Sequence, residues 1–577
     1  MCISRIDLLL LHPPSVYDFR QKAILYGPIS DLVPSSPVFE MYPLGFLTIT
    51  NYLESRGLRV RIVNLALRMM NDPKFDVANF LSRLHPKAIG IDLHWLPHAH
   101  GSLEVARIAK ACHPNVPIIF GGLSSTYFHQ ELIQYPQVDF VLRGDSTEQP
   151  LHQLLTCLAA GEPVSAVPNL TWQEDGRLRQ NPMAFVPKSL DYVDLNPARM
   201  IKMALRYRDL QSILPFEGWW QNPITAVFTV KGCVHRCVTC GASQEACQRL
   251  PTRLEPVFRS PQNLVQNMIA IGRFFKSPIF LVGDLQQAGE AHFYETLELL
   301  SRSRLKNEIV FEFFGMPALS LLQAIDDAVL NWSIELSPES HDEAVRRVQD
   351  ESIFYNNAEM EAVIETALAL RCHRVDLFFM IGLPRQTYES VLATIDYCET
   401  LFQRTDKRLS CFISPMGPFI DPGSRGFEQP ERFGYRLFAH TLEEHRQLLT
   451  QPSWKHILNY ETIWMNRHEL VEATYDAAEI LNKLKLKYGR IRPQDSEKVA
   501  QEIALARGLK DRLNTQENNH TPDPEALQLL AGEVHRFSVS TVCDKRELFW
   551  RRHLFNFKFS GIFPVVVDYL RELVTGR

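Results

Sequence analysis

Short apolar runs alternate with amphipathic stretches along the first 150 residues. Runs of this length are typical of buried strands, and the stretches between them carry helical spacing. Such alternation predicts a doubly wound parallel α/β sheet, a Rossmann-like fold whose ligands bind beyond the carboxyl ends of the strands. The predicted strands are residues 6–11, 60–65, 88–93, 116–120 and 140–142, and the predicted helices include 44–55 and 102–112.

A second alternation begins near residue 225 and runs for six strand–helix units. Six units fit a full or partial parallel barrel of the TIM type, in which the chemistry lies on the loops that follow the strands. The predicted strands are residues 226–230, 279–282, 309–313, 332–336, 375–380 and 409–413.

The two alternating regions predict four parts of the chain. Residues 1–150 form the first domain and residues 221–420 the barrel. Residues 151–220 are predicted to be a connector, because they carry scattered prolines and weak periodicity, with a hairpin formed by residues 169–173 and 185–187. Residues 421–577 are predicted to be mostly helical.

Composition narrows the classes of function. The chain has 577 residues, 61 basic against 66 acidic side chains and a net charge of −5, which gives no reason to expect a nucleic-acid partner. No apolar run approaches the roughly 18–20 residues that a membrane span needs. The N-terminus lacks a signal-peptide pattern, so we expect a cytoplasmic protein in which disulfides are rare. Its 11 cysteines are then expected to be mostly buried small apolar residues, apart from any that bind metal.

Three cysteines are tightly clustered directly after the first predicted barrel strand. Cys233, Cys237 and Cys240 are spaced C-x-x-x-C-x-x-C, on a loop at the mouth of the predicted barrel. Thiolates are soft ligands that favour iron–sulfur clusters and zinc. A compact loop with three thiolates can hold three corners of a cubane and leave the fourth iron open for a substrate or cofactor.

Other interpretations of these cysteines stay open from the residues alone. His235 and Cys247 could complete a four-ligand zinc site. Cys247 could also be the fourth ligand of an electron-transfer cluster, and the three cysteines could simply be buried small side chains.

The cysteine spacing, placed after the first strand of a six-unit barrel, resembles the radical S-adenosylmethionine (SAM) enzymes. The resemblance implies a 4Fe–4S cluster on the three cysteines and SAM bound at the open iron. The position before the third cysteine is often aromatic in that superfamily and is Thr239 here. This departure implies that SAM adenine is seated more by backbone contacts.

Further strand ends are similar to SAM-binding segments of the superfamily. The resemblance implies that Asp284 binds the SAM amino group and that Glu335 and Ser337 contact the ribose and carboxylate. Arg346 or Arg347 would pair with the carboxylate, and backbone groups near Gly382 would meet the adenine. The alternative is structural, since acidic residues at strand ends often cap helices and Gly-Leu-Pro forms turns.

The mechanism that the resemblance implies is reductive cleavage of SAM. An electron from the cluster breaks the S–C5′ bond, and the resulting 5′-deoxyadenosyl radical abstracts a hydrogen atom from the substrate. The electron would come from an external donor such as flavodoxin or ferredoxin. The substrate is expected to be a small molecule or lipid-like, and no sequence motif fixes its identity.

The α/β domain ahead of the barrel resembles that of the cobalamin-binding radical SAM enzymes. The matching features are the turns at Gly121-Gly122 and at Gly144, and the Pro43-Leu44-Gly45 helix entry. The resemblance implies a corrin over the strand ends and methyl transfer to an unreactive carbon, as in class B radical SAM methyltransferases. A degenerate domain without cobalamin is the alternative.

One triplet in this domain, Asp92-Leu93-His94, partly matches the D-x-H-x-x-G pattern of cobalt-ligating domains. Pro97 stands where that pattern has glycine, and the triplet follows the third strand rather than the first. We therefore do not assign His94 as the axial ligand and expect only a contact of His94 or Trp95 with the corrin.

An apolar segment, residues 555–570, lies near the end of the sequence. We expect a buried strand or a terminal helix there rather than a membrane-surface segment. Contact with lipid would imply a lipid-like substrate.

The leading functional prediction is a cobalamin-dependent radical SAM methyltransferase. The alternatives are a radical SAM cyclase or oxidoreductase without methyl transfer, and a zinc-stabilised non-catalytic binding protein.

Overall fold

A computed structural model describes residues 5–22, 24–27, 35–250, 253–518, 542–550 and 555–575. Two large β-sheets dominate these residues, one of seven strands and one of six, each packed against helices.

The N-terminal sheet has five parallel strands, in the order β2-β1-β3-β4-β5, as the alternation predicted. Helices flank its strands, and the interiors of the strands are apolar and buried. Its strands are β1 (Leu8–His12), β2 (Val60–Asn64), β3 (Ile89–Asp92), β4 (Ile118–Gly121) and β5 (Phe140–Leu142). Its helices are α1 (Leu44–Glu54), α2 (Leu65–Asn71), α3 (Val77–Ser82), α4 (Ala99–Cys112), α5 (Leu123–Tyr127), α6 (His129–Leu132) and α7 (Glu148–Ala160).

The sheet continues beyond β5 into the region predicted to be a connector. Strands β6 (Leu170–Glu174) and β7 (Arg177–Gln180) add to it antiparallel. The prediction of 185–187 as the second hairpin arm is wrong. Asp175 and Gly176 have φ of +52° and +72°, the two-residue turn that leads one strand directly into the next. Helix α8 (Ala198–Tyr207) follows.

The second sheet is a six-stranded parallel partial barrel, in the order β8-β11-β12-β13-β14-β15. A small antiparallel hairpin, β9–β10, projects after its first strand. The strands are β8 (Thr225–Phe228), β9 (Val230–Lys231), β10 (Val257–Phe258), β11 (Ile279–Val282), β12 (Ile309–Phe313), β13 (Trp332–Glu339), β14 (Val375–Ile381) and β15 (Leu409–Pro415). The helices are α9 (Gln244–Arg249), α10 (Pro261–Phe274), α11 (Glu290–Ser303), α12 (Leu319–Ala328), α13 (Glu343–Gln349), α14 (Asn357–Ala369) and α15 (Tyr388–Arg404).

The described part of the C-terminal region is mostly helical and includes a small two-stranded antiparallel sheet, β16 (Tyr435–Leu437) and β17 (Tyr460–Thr462). No helix among the described residues is both long and apolar enough to span a bilayer. The helices are α16 (Arg425–Glu428), α17 (Leu442–Leu448), α18 (Trp454–Ile457), α19 (Arg467–Lys487), α20 (Pro493–Asn518) and α21 (Phe559–Thr575).

Residues 542–550 of this region close the amino-terminal end of the barrel. The Trp550 ring packs edge-on against Phe280, with ring centroids 5.0 Å apart. The Arg374 guanidinium lies 4.7 Å from the Trp550 ring and donates to the carbonyls of Phe549 and Glu547 at 3.1 and 2.7 Å. The opposite, carboxyl-terminal end of the barrel, where loops follow the strands, is therefore available for a functional site.

Gly122 fixes how the loop after β3 packs on the N-terminal sheet. Its φ is +119°, and a Cβ added there would lie 2.4 Å from the Cα of His94. The neighbouring Gly121 has far more room, since its nearest contact would be the Leu142 carbonyl at 3.9 Å.

We therefore predict that Gly122→Ala lowers the free energy of unfolding by about 2–4 kcal/mol, because it adds backbone strain and overpacking. The matched Gly121→Ala variant is expected to change it by less than about 1 kcal/mol. Urea unfolding followed by circular dichroism measures both. Equal losses in the two variants would contradict the role of the His94 contact.

Candidate functional site

The three clustered cysteines face one cavity at the carboxyl-terminal mouth of the barrel. The cavity has a volume of about 370 Å³. Cys233, Cys237 and Cys240 all line it, on the loop between β9 and α9. The structure thus places them where the loops after barrel strands converge, which is the functional end of such barrels.

Backbone hydrogen bonds to distant elements hold the cysteine loop. The Arg236 amide donates to Asp350 Oδ2 at 2.8 Å, and the Val238 amide donates to the Gln349 carbonyl at 2.9 Å. On the other side, the Val238 carbonyl accepts from the Gly426 amide at 2.7 Å. The end of α13 and the start of α16 therefore fix the loop before any cofactor binds.

The surroundings of the thiols disfavour their charged form. Burial raises the pKa of Cys233, raises that of Cys237 well above its usual range and raises that of Cys240 to about 12. Nearby carboxylates, Asp350 and Asp421 among them, add to these increases in pKa. The thiols are therefore protonated in the free chain, and metal binding must displace their protons.

Three thiols that line one cavity suit the corners of an iron–sulfur cluster. Among the described residues, no three His, Cys, Asp or Glu side chains converge closely enough to hold one metal ion. Cys247 does not line the cavity, and its thiol donates to the Ala242 carbonyl at 3.4 Å. A cubane binds each thiolate at a different iron, so its ligands need not meet at one point.

Thr239, the departure from the aromatic pattern, has a specific partner. Its Oγ1 accepts a hydrogen bond from Gln349 Nε2 at 2.7 Å, and the side chain is buried at the cavity wall. Gln349 therefore contacts the loop twice, once through this side chain and once through its carbonyl. No motif in the sequence marks Gln349, which lies 110 residues away.

Asp284 and Glu335, both predicted to bind SAM, lie outside the lining of the cysteine cavity. Asp284 is buried and accepts from the amides of Gln286 and Phe314 at 2.8 and 3.0 Å. Glu335 lies inside the barrel, where burial and the nearby Asp376 and Glu312 raise its pKa well above the usual range. Their roles toward SAM remain predictions, and in the free chain Asp284 caps a turn.

Ser337 and Arg346 line the cysteine cavity. The terminal nitrogens of Arg346 donate to the Ser340 carbonyl and to Asn357 Oδ1, each at 2.8 Å, and to the Tyr355 carbonyl at 3.0 Å. Its Nε is buried and has no partner among the described residues. A carboxylate could therefore accept a hydrogen bond from Nε alone. A bidentate contact would also need a terminal nitrogen, and one of its present hydrogen bonds would have to break.

Gly382 lies near the cavity, but its backbone groups are already hydrogen-bonded within the chain. Its amide donates to Gln386 Oε1 at 2.8 Å, and its carbonyl accepts from Tyr435 Oη at 2.9 Å. The preceding inward-facing residue, Met380, lines the cavity. A contact of this strand end with adenine stays a prediction.

Two glutamates at the cavity, Glu312 and Glu339, were not anticipated from the sequence. Burial raises the pKa of Glu312 to about 7 and that of Glu339 to about 8. Glu312 accepts from the Gly283 amide at 2.6 Å. Glu339 has φ of +63°, beside an irregularity in the β13–β14 pairing. Backbone strain of this kind concentrates at functional sites.

Asp421 links the cysteine loop to the N-terminal domain. Its Oδ2 accepts from the Gly241 amide at 3.0 Å, and its Oδ1 accepts from Trp95 Nε1 at 3.2 Å. Trp95 follows β3, and both Trp95 and Asp421 line the cysteine cavity. The strand edge of the first domain therefore contributes directly to the wall of the cysteine site.

The turn around Gly144 provides a second link between the domains. Arg253 Nη2 donates to Asp145 Oδ1 at 3.1 Å, and Lys231 Nζ donates to the Asp145 carbonyl at 2.6 Å. The Gly144 amide donates to Thr126 Oγ1 at 2.9 Å. The segments before and after the cysteine loop and α9 are thus both held against this turn.

Histidines gather at the carboxyl edge of the N-terminal sheet. Asp92 Oδ2 accepts from His94 Nδ1 at 2.6 Å, and His12 Nδ1 lies 3.1 Å from the same carboxylate. Burial alone would raise the pKa of Asp92, but His12 and His94 lower it. Because Nδ1 of His94 is occupied, Nε2 is the nitrogen left for a ligand, and His94 lines a cavity of about 1050 Å³. The His94 ring, oriented by Asp92 at this strand edge, suits contact with a corrin.

Comparisons with known proteins agree with this architecture. Residues 32–151 match the family model of the B12 binding domain. Among solved structures, the chain is similar to the radical S-adenosylmethionine methyltransferase TsrM of Kitasatospora setae, with TM-score 0.58, 15% identity and coverage of 85% of this chain and 89% of TsrM. It is also similar to the cobalamin-dependent S-adenosylmethionine radical enzyme OxsB, with TM-score 0.51, 13% identity and coverage of 99% and 81%.

Curated relatives match parts of the chain. An uncharacterized methyltransferase of Pyrococcus horikoshii is 24% identical over 42% of this chain and 47% of its own length. The anaerobic magnesium-protoporphyrin IX monomethyl ester cyclase of Synechocystis is 22% identical over 41% of this chain and 42% of its own length. The chain thus spans under half of these two relatives. Cytidylyl-2-hydroxyethylphosphonate methyltransferase of Streptomyces wedmorensis is 22% identical over 66% of this chain and 77% of its own length.

The raised pKa of Glu339 gives a testable pH dependence of stability. Between its ordinary pKa of 4.5 and its folded pKa of about 8, the folded chain keeps a proton that the unfolded chain releases. The free energy of unfolding therefore falls as pH rises through that window. The free energy of unfolding of Glu339→Gln, relative to that of the wild type, is therefore expected to rise by about 1 kcal/mol or more between pH 5 and pH 9.

Denaturant unfolding of the iron-free chain at both pH values measures this gain. The exposed Glu351 provides the control, since Glu351→Gln is expected to show no such difference. A Glu339→Gln profile parallel to that of the wild type would contradict the assignment.

Proposed function

We propose, from the architecture of a cobalamin-binding radical SAM enzyme, that this chain binds a 4Fe–4S cluster on Cys233, Cys237 and Cys240 and cleaves SAM reductively. The observation that carries the proposal is the convergence of these three thiols on one cavity at the barrel mouth. Cys247 lies outside that cavity, so the set leaves one iron for SAM. When bound, the cluster supplies the electron and cobalamin carries the methyl group.

The chain's own residues would position SAM and exclude water. Arg346 Nε is a buried donor without a partner among the described residues, and it suits the SAM carboxylate. Glu339 and Glu312 are acidic groups at the same cavity, and either suits the SAM amino group. Trp95 closes the wall toward the first domain. These contacts would fix the sulfonium near the open iron and shield the radical.

Methyl transfer from cobalamin is the finer part of the proposal. It is supported by the B12 binding match, and by the methyltransferases among the similar proteins. The similarity to a cyclase supports ring formation as a second candidate. SAM carrying a deuterated methyl group separates the two, because only methyl transfer yields a product heavier by the labelled group. An external donor such as flavodoxin or ferredoxin would supply electrons in either case.

Replacement of any one cluster cysteine by alanine is expected to abolish function. After anaerobic reconstitution, the wild type is expected to hold about four irons per chain, and most of this iron should be lost in each of Cys233→Ala, Cys237→Ala and Cys240→Ala. Formation of 5′-deoxyadenosine by each variant should fall below about 1% of that of the wild type. Iron analysis and chromatography of the nucleoside measure these losses.

Cys247→Ala is the matched control, because its thiol bonds the Ala242 carbonyl and does not line the cavity. It should keep its iron and its cleavage activity. Loss of the cluster in Cys247→Ala, or a full complement of iron in Cys237→Ala, would refute the ligand set.

Cobalamin binding at the N-terminal edge is tested at His94. His94→Ala is expected to weaken hydroxocobalamin binding about tenfold, equivalent to about 1.4 kcal/mol, because a ring oriented by Asp92 is lost. Equilibrium titration by absorbance measures it.

His113 supplies the control, since it follows α4 and bonds the Leu81 carbonyl at 2.9 Å. His113→Ala should bind hydroxocobalamin as tightly as the wild type. Equal affinities for His94→Ala and the wild type would remove His94 from the cobalamin site.

A further inference from the structure

The cavity lined by His94 shares no lining residue with the cysteine cavity, and its lining is mostly apolar. Its volume, about 1050 Å³, lies at the upper limit of ordinary small-molecule sites. Leu47 lines it from α1, Met200 from α8, Phe280 from the barrel interior and Ile562 from α21. Such a lining suits a hydrocarbon body and offers few polar partners to a sugar, nucleotide or peptide.

Helix α21 borders this cavity and carries a stripe of exposed apolar side chains. Phe559, Ile562 and Val566 line the cavity from it. Phe559 and further large apolar residues at helical spacing along α21 are exposed to solvent, which is uncommon for a contiguous set. The exposed set is Phe559 (74%), Phe563 (70%), Leu570 (53%), Leu573 (62%) and Val574 (88%).

Helix α21 packs closely against the rest of the chain, so the orientation of its apolar stripe is fixed. A Cβ on Gly561 would lie 2.3 Å from the Arg273 carbonyl, which shows how closely α21 approaches α10. The Lys558 amide donates to the Phe274 carbonyl at 2.7 Å, and Lys202 Nζ pairs with Glu572 at 2.6 Å.

Cations cluster at the start of this helix. Burial, together with the charges of Lys276 and Lys306, lowers the pKa of Lys558. Arg273, Lys276 and Lys306 are exposed, and none of them pairs with a carboxylate among the described residues. An apolar stripe beside unpaired cations is complementary to an anionic lipid surface. The same cations would repel a second copy of this face.

We propose that this cavity binds the hydrocarbon body of a lipid-class substrate, which enters along α21 from an anionic bilayer surface on which the stripe rests. The inference rests on the proposed function, and it names the substrate class of that site. Because His94 lines the same cavity, the substrate would lie beside the strand edge proposed to hold the corrin.

Binding to vesicles tests the surface. Full-length chain is sedimented with vesicles of phosphatidylcholine and phosphatidylglycerol, and with phosphatidylcholine alone. Phe563→Glu with Leu570→Glu is expected to weaken binding to the anionic vesicles at least tenfold. Ser560→Glu with Thr575→Glu adds the same charge at exposed polar positions of the helix and should weaken it less than threefold.

Wild-type binding no tighter than that of the Phe563→Glu, Leu570→Glu chain would overturn the proposal. A dimer in solution that these two substitutions dissociate would overturn it as well, since the stripe would then be an interface between copies.

Occupancy of the cavity is tested with cis-parinaric acid, a fluorescent polyene fatty acid. Ala204 lines the cavity from α8, so Ala204→Trp should fill it and weaken probe binding at least tenfold. Ala369→Trp on the exposed side of α14 should bind the probe like the wild type. Equal binding by Ala204→Trp and the wild type, or no binding by the wild type, would overturn the proposal.

These assays use the chain without cofactors, so they are independent of the cluster chemistry. Failure of the proposed function would appear instead as absence of SAM cleavage in the reconstituted chain. A chain that cleaves SAM but binds neither vesicles nor the probe would overturn only the substrate class.

Discussion

The carboxylate of Asp421 holds together the parts from which the site is built. One oxygen accepts from the Gly241 amide at the end of the cysteine loop, and the other accepts from the Trp95 indole of the N-terminal domain. Burial raises the pKa of this carboxyl, and these two hydrogen bonds lower it in turn. This buried group therefore links the cysteine loop directly to the strand edge where the corrin is proposed to bind.

Hydrogen bonds within the chain hold the cysteine loop in place without a cofactor, and the burial of its thiols makes them weaker acids. The end of α13 holds the loop through Gln349 and Asp350, while burial raises the pKa of the thiols. Binding of a cluster would replace the thiol protons by iron. The positive charge of the iron would compensate the thiolate charge that burial disfavours. The loop geometry thus favours a cofactor that binds each thiolate separately.

The alternation of strands and helices was predictable, because each buried parallel strand is a short apolar run between helices. The convergence of the cysteines on one cavity was predictable because the three thiols lie within eight residues of sequence. Asp350 and Asp421 were not, since they reach the loop from more than 100 residues away and no local pattern marks them. The exposed face of α21 was also missed, because an apolar helical pattern predicts burial and does not say which face finds a partner.

The proposed cluster with one open iron is tested most directly by the electron paramagnetic resonance spectrum of the reduced, reconstituted chain, recorded before and after addition of SAM. If Cys233, Cys237 and Cys240 alone hold the proposed cluster, one iron is open, and the g-values of the cluster signal should shift when SAM binds, in the wild type and in Cys247→Ala alike. A signal that SAM leaves unchanged would mean that the chain already supplies a ligand to each of the four irons. That result would contradict an open iron for SAM.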